Sequence, residues 1–595
     1  MRRILLLIIA LAVAAFAGWY YWKVSLQLSS APVSALLPQR TIFLAHLPDF
    51  NRTLDDWHHS DIYQLYREPA VQDFLRPALA GLSNLPTPKA FGAQTLQEIE
   101  QLDPKHAFLA LTSMENNNPR FVGGFRFGGS QEEAERLINR WRSTFLGQTP
   151  GAKREKLQYQ HHEIELITVP PFTLATTYDR PWFFAATDLT ELKALLDRAD
   201  HRAKNQEDIL DRDAAYRTAI AHRPSTYAAF FYLQPKIFSE RLAALRAAVR
   251  SSPAHGESTM LEKMRCIAGS MRFENGKIHD MLFLGMPKLE RGTTLTRSSV
   301  SLGTKETFFY LSMLLNLGEK IDTLNQVAAL AGAKIFQALA DSGITADDWK
   351  AAFGLELSSL ADWPSSAHWP SLFLTLPITD AAKAGKIVEA LIRTDESAAW
   401  TDTTKDGVRY FSKQSAASLI AITPTIAVSD RILIAGLNPV SVGEAMKRSG
   451  ASSSELSDSQ TYKAASRLLP APTNFFAYVD TGLLYSRLDA SLRPMLLMAA
   501  AFVPAIAGSV DATKLPSPEV ITKHLSPIIA SQRYDHDGYM AESIGPITLD
   551  QSAIGLAILS SLGAGARQKA AAAVTGWSAS TTATPQPTPS PSPTP

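Results

Sequence analysis

The stretch Tyr216-Arg-Thr-Ala-Ile-Ala-His-Arg-Pro224-Ser-Thr-Tyr-Ala-Ala-Phe230-Phe-Tyr232 decides the fold, because its pattern returns near the other end of the chain. At one constant offset, seven of its residues and near neighbours recur: Tyr216, Ala219, Pro224, Phe230, Tyr232, Arg241 and Leu242 return as Tyr462, Ala465, Pro470, Phe476, Tyr478, Arg487 and Leu488. Residues that recur across a helix and a strand answer to the same packing environment twice. We therefore expect Phe230 and Phe476 to be buried on equivalent strands.

Further landmarks extend this match in the same order along the chain. They are Thr41-Ile-Phe-Leu with Thr307-Phe-Phe-Tyr, Ala90-Phe91-Gly92 with Ala352-Phe353-Gly354, residues 119–141 with 370–391, residues 173–187 with 418–436, and Arg272-Phe-Glu-Asn-Gly276 with Arg533-Tyr-Asp-His-Asp-Gly538. An ordered set of this kind indicates an internal duplication. The predicted copies span residues 41–290 and 303–550, and 595 residues are enough for two cores.

Each copy combines strands and amphipathic helices. The predicted strands are 42–47, 121–127, 164–169, 182–186, 308–314 (with a possible helical extension), 371–376 and 432–435; the predicted helices are 61–82, 131–145, 320–339, 381–392 and one capped by Asp188 or Thr190 that ends near Arg198. Asn275-Gly276 and Asp537-Gly538 predict type I′ hairpin turns, which join antiparallel strands. The predicted fold class is α+β: a duplicated domain with a mainly antiparallel sheet and packed amphipathic helices, preceded by one N-terminal transmembrane helix.

The N-terminus predicts export. Arg2 and Arg3 precede an apolar run over residues 4–22, which is close to the length of about 20 residues that spans a bilayer. We expect residues 1–23 to be an uncleaved anchor, with aromatic residues 19–22 at the interface, although Ala15-Phe16-Ala17 also fits a signal-peptide cleavage site. Residues 24–40 are predicted to be a linker, and in either case residues 24–595 lie outside the cytoplasm.

The C-terminus divides into two predicted segments. Residues 551–575, with an apolar stretch at 553–562, predict a C-terminal helix that docks on the second copy. Residues 576–595 are rich in Pro, Thr and Ser and predict an extended, disordered tail. A wall spacer and a ligand for a proline-reading partner are alternatives for this tail.

Charge and cysteine content restrict the function. The chain holds 58 Lys and Arg against 57 Asp and Glu, so no overall basic field recruits nucleic acid. Cys266 is the only cysteine, which excludes an internal disulfide and a cysteine-based metal cage. We expect Cys266 to be a small buried residue of a strand.

The opening of the exported part resembles a known family. The residues that carry the resemblance lie within 37–75: Leu37-Pro38-Gln-Arg-Thr-Ile-Phe-Leu-Ala-His-Leu-Pro48-Asp49, then Trp57, then Asp61-Ile-Tyr-Gln-Leu-Tyr-Arg-Glu-Pro-Ala-Val-Gln-Asp-Phe-Leu75. They are similar to the start of an uncharacterised bacterial envelope family, a domain of unknown function that follows an N-terminal membrane segment. The resemblance implies a single-pass protein of the bacterial inner membrane whose bulk is periplasmic or otherwise extracytoplasmic. It transfers no catalytic residues.

No catalytic, cofactor-binding or metal-binding residue is predicted. His161-His162-Glu163 is the most metal-like cluster, but neighbours on a strand point to opposite faces, so the two histidines are not expected to share an ion. His58-His59 is read as a solvated turn, and Asp535-His536-Asp537 as a hairpin rather than a calcium loop. Asp55-Asp56 and Asp347-Asp348 are expected near helix starts, and Gly123-Gly124 and Gly128-Gly129 at the permissive ends of a strand.

One apolar segment, residues 494–507, distinguishes the second copy from the first and is too short to span a bilayer. It is either a buried core helix or a surface for a protein, lipid or peptide partner. The favoured function is a membrane-tethered, exported, non-catalytic binding or scaffold protein of the bacterial envelope. The alternatives are an envelope hydrolase with a dispersed active site and a purely structural spacer.

Overall fold

The chain forms an α+β fold around one large antiparallel sheet. The structure is a computed structural model that describes residues 32–82, 93–115, 118–147, 151–169, 172–179, 181–201, 208–238, 240, 263–288, 293–314, 342–393, 399–413, 422–451, 453–502 and 514–552. The predicted membrane segment 4–22, the helix 320–339, the segment 551–575 beyond residue 552 and the tail 576–595 lie outside these residues. Within the described part of the chain, no helix is both long and apolar enough to cross a membrane.

The sheet contains ten strands from each half of the chain. The first ten are β1 Phe43–Asp49, β2 Lys105–Glu115, β3 Asn118–Arg126, β4 Lys153–Tyr159, β5 His162–Val169, β6 Phe172–Asp179, β7 Trp182–Ala186, β8 Ala229–Leu233, β9 Cys266–Glu274 and β10 Lys277–Gly285. The second ten are β11 Thr307–Leu314, β12 Glu356–Asp362, β13 Ser371–Pro377, β14 Trp400–Lys405, β15 Val408–Lys413, β16 Thr425–Val428, β17 Ile432–Gly436, β18 Phe475–Val479, β19 Ile528–Asp535 and β20 Gly538–Gly545.

Strand order is the same in both halves. The first half runs β4-β5-β6-β7-β3-β2-β1-β8-β9-β10. The second half runs β14-β15-β16-β17-β13-β12-β11-β18-β19-β20. Every pairing among the described strands is antiparallel, in agreement with the predicted sheet type.

Helices cover the sheet between these strands. They are α1 Val33–Leu36, α2 Phe50–His58, α3 Asp61–Arg67, α4 Pro69–Leu82, α5 Ala93–Leu102, α6 Gln131–Gly147, α7 Leu189–Ala199, α8 Ala214–Ala221, α9 Ala346–Ala352, α10 Ala381–Arg393, α11 Pro439–Arg448, α12 Glu455–Asp458, α13 Gln460–Ser466, α14 Thr481–Phe502 and α15 Pro518–Thr522. The predicted helix 61–82 is divided at Glu68, because Pro69 restricts the residue before it to extended conformations.

Equivalent residues make equivalent contacts in the two halves. Phe230 and Phe476 are 3% and 2% exposed, which confirms their predicted burial. Tyr216 meets Tyr232 edge-on at a ring-centroid distance of 5.0 Å, and Tyr462 meets Tyr478 edge-on at 5.0 Å. The four aromatic rings lie in separate buried clusters, one for each half.

The residues that cap helices α7 and α11, and the arginines at the ends of these helices, are also equivalent in the two halves. Asp188 caps α7 by accepting from the second and third backbone amides that follow it, and Asn438 caps α11 in the same way. Arg198 at the end of α7 donates to the carbonyl oxygen of Leu36 at 2.7 Å. Arg448 at the end of α11 donates to that of Leu302 at 2.8 Å. Each half therefore binds its own opening segment through an arginine at the equivalent position.

The opening segments that these arginines bind contribute to the two buried cores. Leu36 and Leu37 are buried in the first core, although residues 24–40 were expected to be a linker. Leu295 and Leu302 are likewise buried in the second core, ahead of the predicted start at residue 303. Both segments are too short and irregular to show a helical or strand period in the sequence.

The two halves join through their last strands. β10 pairs antiparallel with β20 over seven residue pairs, from Ile278↔Gly545 to Leu284↔Tyr539. Met281 pairs with Glu542. Met281 comes four positions after the start of β10, and Glu542 comes four positions after the start of β20. The two residues are therefore equivalent positions of the two halves, and they pair at the midpoint of the seam. A local two-fold axis therefore passes through the Met281–Glu542 pair, as in a symmetric dimer interface.

The second hairpin differs from its prediction. Asn275 and Gly276 have φ of 52° and 79°, as a type I′ turn requires. Asp535 pairs with Gly538, so the second turn is made by His536 and Asp537, and Gly538 is the first residue of β20. A Cβ atom on Gly538 would lie 2.2 Å from the carbonyl oxygen of Leu284. Close approach of β10, and not the turn, requires glycine at this position.

Candidate functional sites

A charged network lies across the seam between the halves. Nε2 of His279 on β10 lies 3.2 Å from Oε2 of Glu542 on β20. Nδ1 of His279 lies 3.0 Å from Nη2 of Arg272 and 3.2 Å from Oε2 of Glu274. Arg533 donates to the other oxygen of Glu542. His279 at the centre of this network is only 5% exposed, whereas the side chains of Arg272 and Glu274 are 36% and 45% exposed.

These contacts hold Glu542 in its charged form. Burial alone would raise the pKa of the Glu542 carboxyl, but hydrogen bonds from His279 and Arg533 outweigh burial and lower its pKa below the ordinary value. The hydrogen bond with His279 likewise lowers the pKa of the more exposed Glu274. The network lines a partly open pocket of about 170 Å³ whose wall also includes His222, Pro224 and Ser270.

The pocket lies beside the local two-fold axis. Arg272 and Arg533 occupy equivalent positions of β9 and β19, whereas the equivalents of His279 and Glu542 are Met540 and Met281. The histidine–glutamate pair therefore exists on one side of the axis only. Its ionisable groups bind each other across the seam, which suits a role in holding the halves together.

Other contacts reinforce the seam. The carboxylate of Asp280 accepts from Thr548 at 2.6 Å and from Gln551 at 3.0 Å. Arg265 donates to the carbonyl oxygen of Asp537 at 2.9 Å. Burial raises the pKa of Asp280. Both donors bind its Oδ2, whereas its buried Oδ1 has no hydrogen-bond partner among the described residues.

A second feature is the stretch of residues 495–498 towards the far end of α14, which is apolar and exposed. Met495, Leu496, Leu497 and Met498 are 41%, 37%, 43% and 59% exposed. Four consecutive residues of an α-helix point in four directions around its axis. This end of the helix therefore presents apolar side chains on all sides, which soluble helices rarely do. The predicted partner segment 494–507 begins here, and its residues from 503 onward lie outside the described part.

The base of this helix end is fixed. Arg493 pairs with Asp489 one turn earlier at 2.6 Å. The same guanidinium donates to the carbonyl oxygens of Leu515 and Pro516 at 3.1 and 2.5 Å. The charged residues thus stop at Arg493, and the apolar end begins at Pro494.

The vicinal histidines 161 and 162 form a third feature that sequence reasoning misplaced. His161 lies in the turn between β4 and β5 and not on a strand, so the two side chains are not forced to opposite faces. Their ring centroids are 3.9 Å apart. Glu163 points away from them and pairs with Lys156 at 2.6 Å. The expectation that both histidines lie on a strand, with their side chains on opposite faces, is therefore wrong.

The remaining sequence candidates are structural. His58 and His59 end α2, and Nδ1 of His59 contacts the carbonyl oxygen of Asp55 at 2.8 Å. Asp347 and Asp348 lie in the first turn of α9, as predicted, with Asp348 in a capping box. Asp55 and Asp56 lie near the end of α2 instead of its start, because α2 begins earlier, capped by Asp49. Gly123 and Gly124 lie inside β3 rather than at its end.

The buried Cys266 and the half-buried His46 have unusual acid–base properties. Cys266 on β9 is fully buried as predicted, and burial raises the pKa of its thiol to about 11, so it is a poor nucleophile. His46 on β1 was not predicted to be special. Its Nδ1 lies 2.8 Å from the Tyr227 hydroxyl, and burial, then the neighbouring His106 and Arg223, lower its pKa from 6.5 to about 4.

Comparisons with known proteins add little. No protein-family model matches the chain, and no curated protein sequence matches it. Solved structures of a protein named TP0453 are weakly similar: crystal form IV at 6% identity and a TM-score of 0.23, covering 42% of this chain and 79% of that one. Crystal form I gives 6% and 0.23, covering 44% and 80%. Because these TM-scores are so low, the functional argument rests on the residues of this chain.

Proposed function

We propose that this chain is a membrane-tethered, exported, non-catalytic binding protein of the bacterial envelope, and that the exposed end of α14 inserts into a lipid surface. We also propose that the two halves are copies of one duplicated domain, which their common strand order supports. The observation that carries the function is the exposure of Met495, Leu496, Leu497 and Met498 around the whole helix.

The geometry favours lipid over a protein groove as the occupant. A helix that binds a groove needs an apolar stripe on one face, with anchors three and four residues apart. The end of α14 is apolar on every side, and the sequence from residue 494 to 507 contains no charged residue. Such an end suits a medium that surrounds it, and burying each Leu or Met side chain contributes roughly 1.5–3 kcal/mol.

The tether agrees with this assignment. A membrane segment at residues 4–22 would leave nine residues, 23–31, before residue 32, where the described part of the chain begins. At about 3.5 Å per residue these span about 30 Å at most. The folded halves would therefore stay close to the bilayer, and a weak apolar contact would be strengthened by the tether.

The first prediction tests this contact by vesicle flotation. Residues 24–595, which contain every residue that the structure describes, are mixed with vesicles of phosphatidylethanolamine and phosphatidylglycerol. We expect binding, and we expect Met498→Glu to weaken it at least about tenfold, since the substitution removes one of the inserted side chains and adds a charge.

Val440→Glu is the matched control, because Val440 is an exposed apolar residue at the start of another helix, α11. It should leave vesicle binding unchanged. Equal binding by wild type and Met498→Glu would reject the lipid contact. So would a photocrosslinking residue at position 498 that attaches, in cells, to a protein instead of lipid.

A further inference from the structure

We propose that His161, His162 and Asp200 form a binding site for one divalent cation of the zinc class. The three residues each offer a ligand atom, and these atoms all lie within 4.8 Å of one another. The proposal is independent of the lipid contact proposed for α14.

The three ligands are brought together by the β4–β5 turn, the start of β5 and the end of α7. His161 lies in the β4–β5 turn, His162 begins β5, and Asp200 is the C-cap of α7. Nε2 of His162 lies 3.0 Å from Oδ2 of Asp200, and Nε2 of His161 lies 3.6 Å from Oδ1. Ligands about 2.0–2.1 Å from a tetrahedral zinc ion are separated by about 3.3 Å, so small shifts would suffice for coordination.

The surroundings also suit a cation. Asp179, at the end of β6, has an oxygen 3.9 Å from Nδ1 of His162, which is too long for a hydrogen bond but adds a negative charge beside the site. Asp200 ends α7, and the C-terminal end of a helix carries partial negative charge. The side chain of His162 is only 2% exposed, whereas that of His161 is 57% exposed. The site thus combines a fixed buried ligand with one open to solvent.

The second half of the chain provides an internal comparison. By strand register, His161, His162 and Asp179 correspond to Gly407, Val408 and Ser429. Counted from the equivalent N-caps Asp188 and Asn438, Asp200 corresponds to Gly450. None of these has a side chain that commonly binds a metal ion. The fold therefore does not need this cluster, since the second half forms the same turn and strands without it. The two histidines and two aspartates occur together in one half only.

Ligand chemistry selects the ion. Two imidazole nitrogens and one carboxylate oxygen suit zinc and related transition metals, whereas calcium and magnesium prefer sites made of oxygen atoms. Three protein ligands leave one position for water. We infer a site that fastens the β4–β5 turn to the end of α7 and keeps one coordination position open.

The second prediction tests this site by calorimetry. The full chain is purified in detergent, stripped with a chelator and titrated with Zn²⁺ alone. We expect one ion per chain, a higher melting temperature with Zn²⁺, and visible absorption bands of tetrahedral geometry when Co²⁺ replaces it. His161→Asn should weaken Zn²⁺ binding at least about tenfold, because it removes one direct ligand.

Controls separate a metal site from an ion pair. Because His161 is exposed, His161→Asn should leave the melting temperature of the metal-free chain unchanged. His59→Asn alters the other vicinal histidine pair and should leave Zn²⁺ binding unchanged. The proposal is overturned if wild type binds no Zn²⁺, if His161→Asn binds it as tightly as wild type, or if His59→Asn causes the same loss.

Discussion

At the scale of single residues, His46 links stability to pH. The folded chain keeps its imidazole neutral down to a pKa of about 4, whereas an unfolded histidine gains its proton near 6.5. Between these values the unfolded state binds more protons than the folded state. The contribution of His46 to the free energy of unfolding is therefore complete above about pH 6.5 and is lost as the pH falls towards 4.

The third prediction follows from this difference. His46→Asn replaces the imidazole with a neutral group that can still reach the Tyr227 hydroxyl. We expect the wild type to lose up to about 3 kcal/mol more than the variant between pH 6.5 and 4. Urea unfolding at a series of pH values measures this. His59→Asn, at an exposed histidine, is the control, and parallel pH curves for wild type and His46→Asn would contradict the assignment.

At the scale of elements, Gly538 sets the distance between β10 and β20. No side chain fits there, because a Cβ atom would meet the carbonyl carbon of Leu284 at 2.9 Å and its oxygen at 2.2 Å. Both are backbone atoms that cannot rotate away. The seam must therefore open locally to accept any larger residue.

The fourth prediction is that Gly538→Ala destabilises the chain by about 1–3 kcal/mol, as overpacking generally does. Thermal melting measures the change. Gly443→Ala is the matched control, because the space around Gly443 in the helix α11 is open. In that helix the same substitution should be neutral or stabilising by up to about 1 kcal/mol. An unchanged melting temperature for Gly538→Ala would mean that the strands do not approach so closely.

Periodic elements could be predicted from the sequence, and contacts between distant elements could not. Trp182–Ala186 was predicted with its true bounds because a short apolar run was bracketed by turn residues. The pattern Asp537-Gly538 gave the wrong turn, because glycine also occurs where another backbone approaches closely. The sequence alone cannot show whether a glycine is needed for a turn or for the close approach of another strand, when that strand comes from the other half of the chain.

The same limit applies to the candidate sites. His161 and His162 were assigned to one strand, and a shift of one residue in the strand boundary reversed the conclusion about their side chains. His279 and Glu542 lie more than 260 positions apart, and no local pattern relates them. The apolar run from 494 was visible in the sequence, but its exposure depends on what the helix packs against.

At the scale of the whole molecule, the central claim is that two equivalent halves pair edge to edge. The edge strands β10 and β20 would each expose unpaired backbone groups in an isolated half, which is a hazard for aggregation. Pairing them removes both edges. The outer edge strand β4 carries Lys153, Arg154 and Lys156, and charges of this kind oppose further pairing.

The most direct measurement of this claim is disulfide trapping across the seam. Leu282 on β10 pairs with Ala541 on β20, and Ala541 pairs in turn with Gln532 on β19. In a chain carrying Cys266→Ala, Leu282→Cys with Ala541→Cys should form an internal disulfide under mild oxidation, because directly paired residues lie within bonding range. Leu282→Cys with Gln532→Cys should not, since two strand spacings separate them by about 9–10 Å. Peptide mass spectrometry that finds the 282–541 link in single chains supports the seam; absence of that link, or equal linking to position 532, contradicts it.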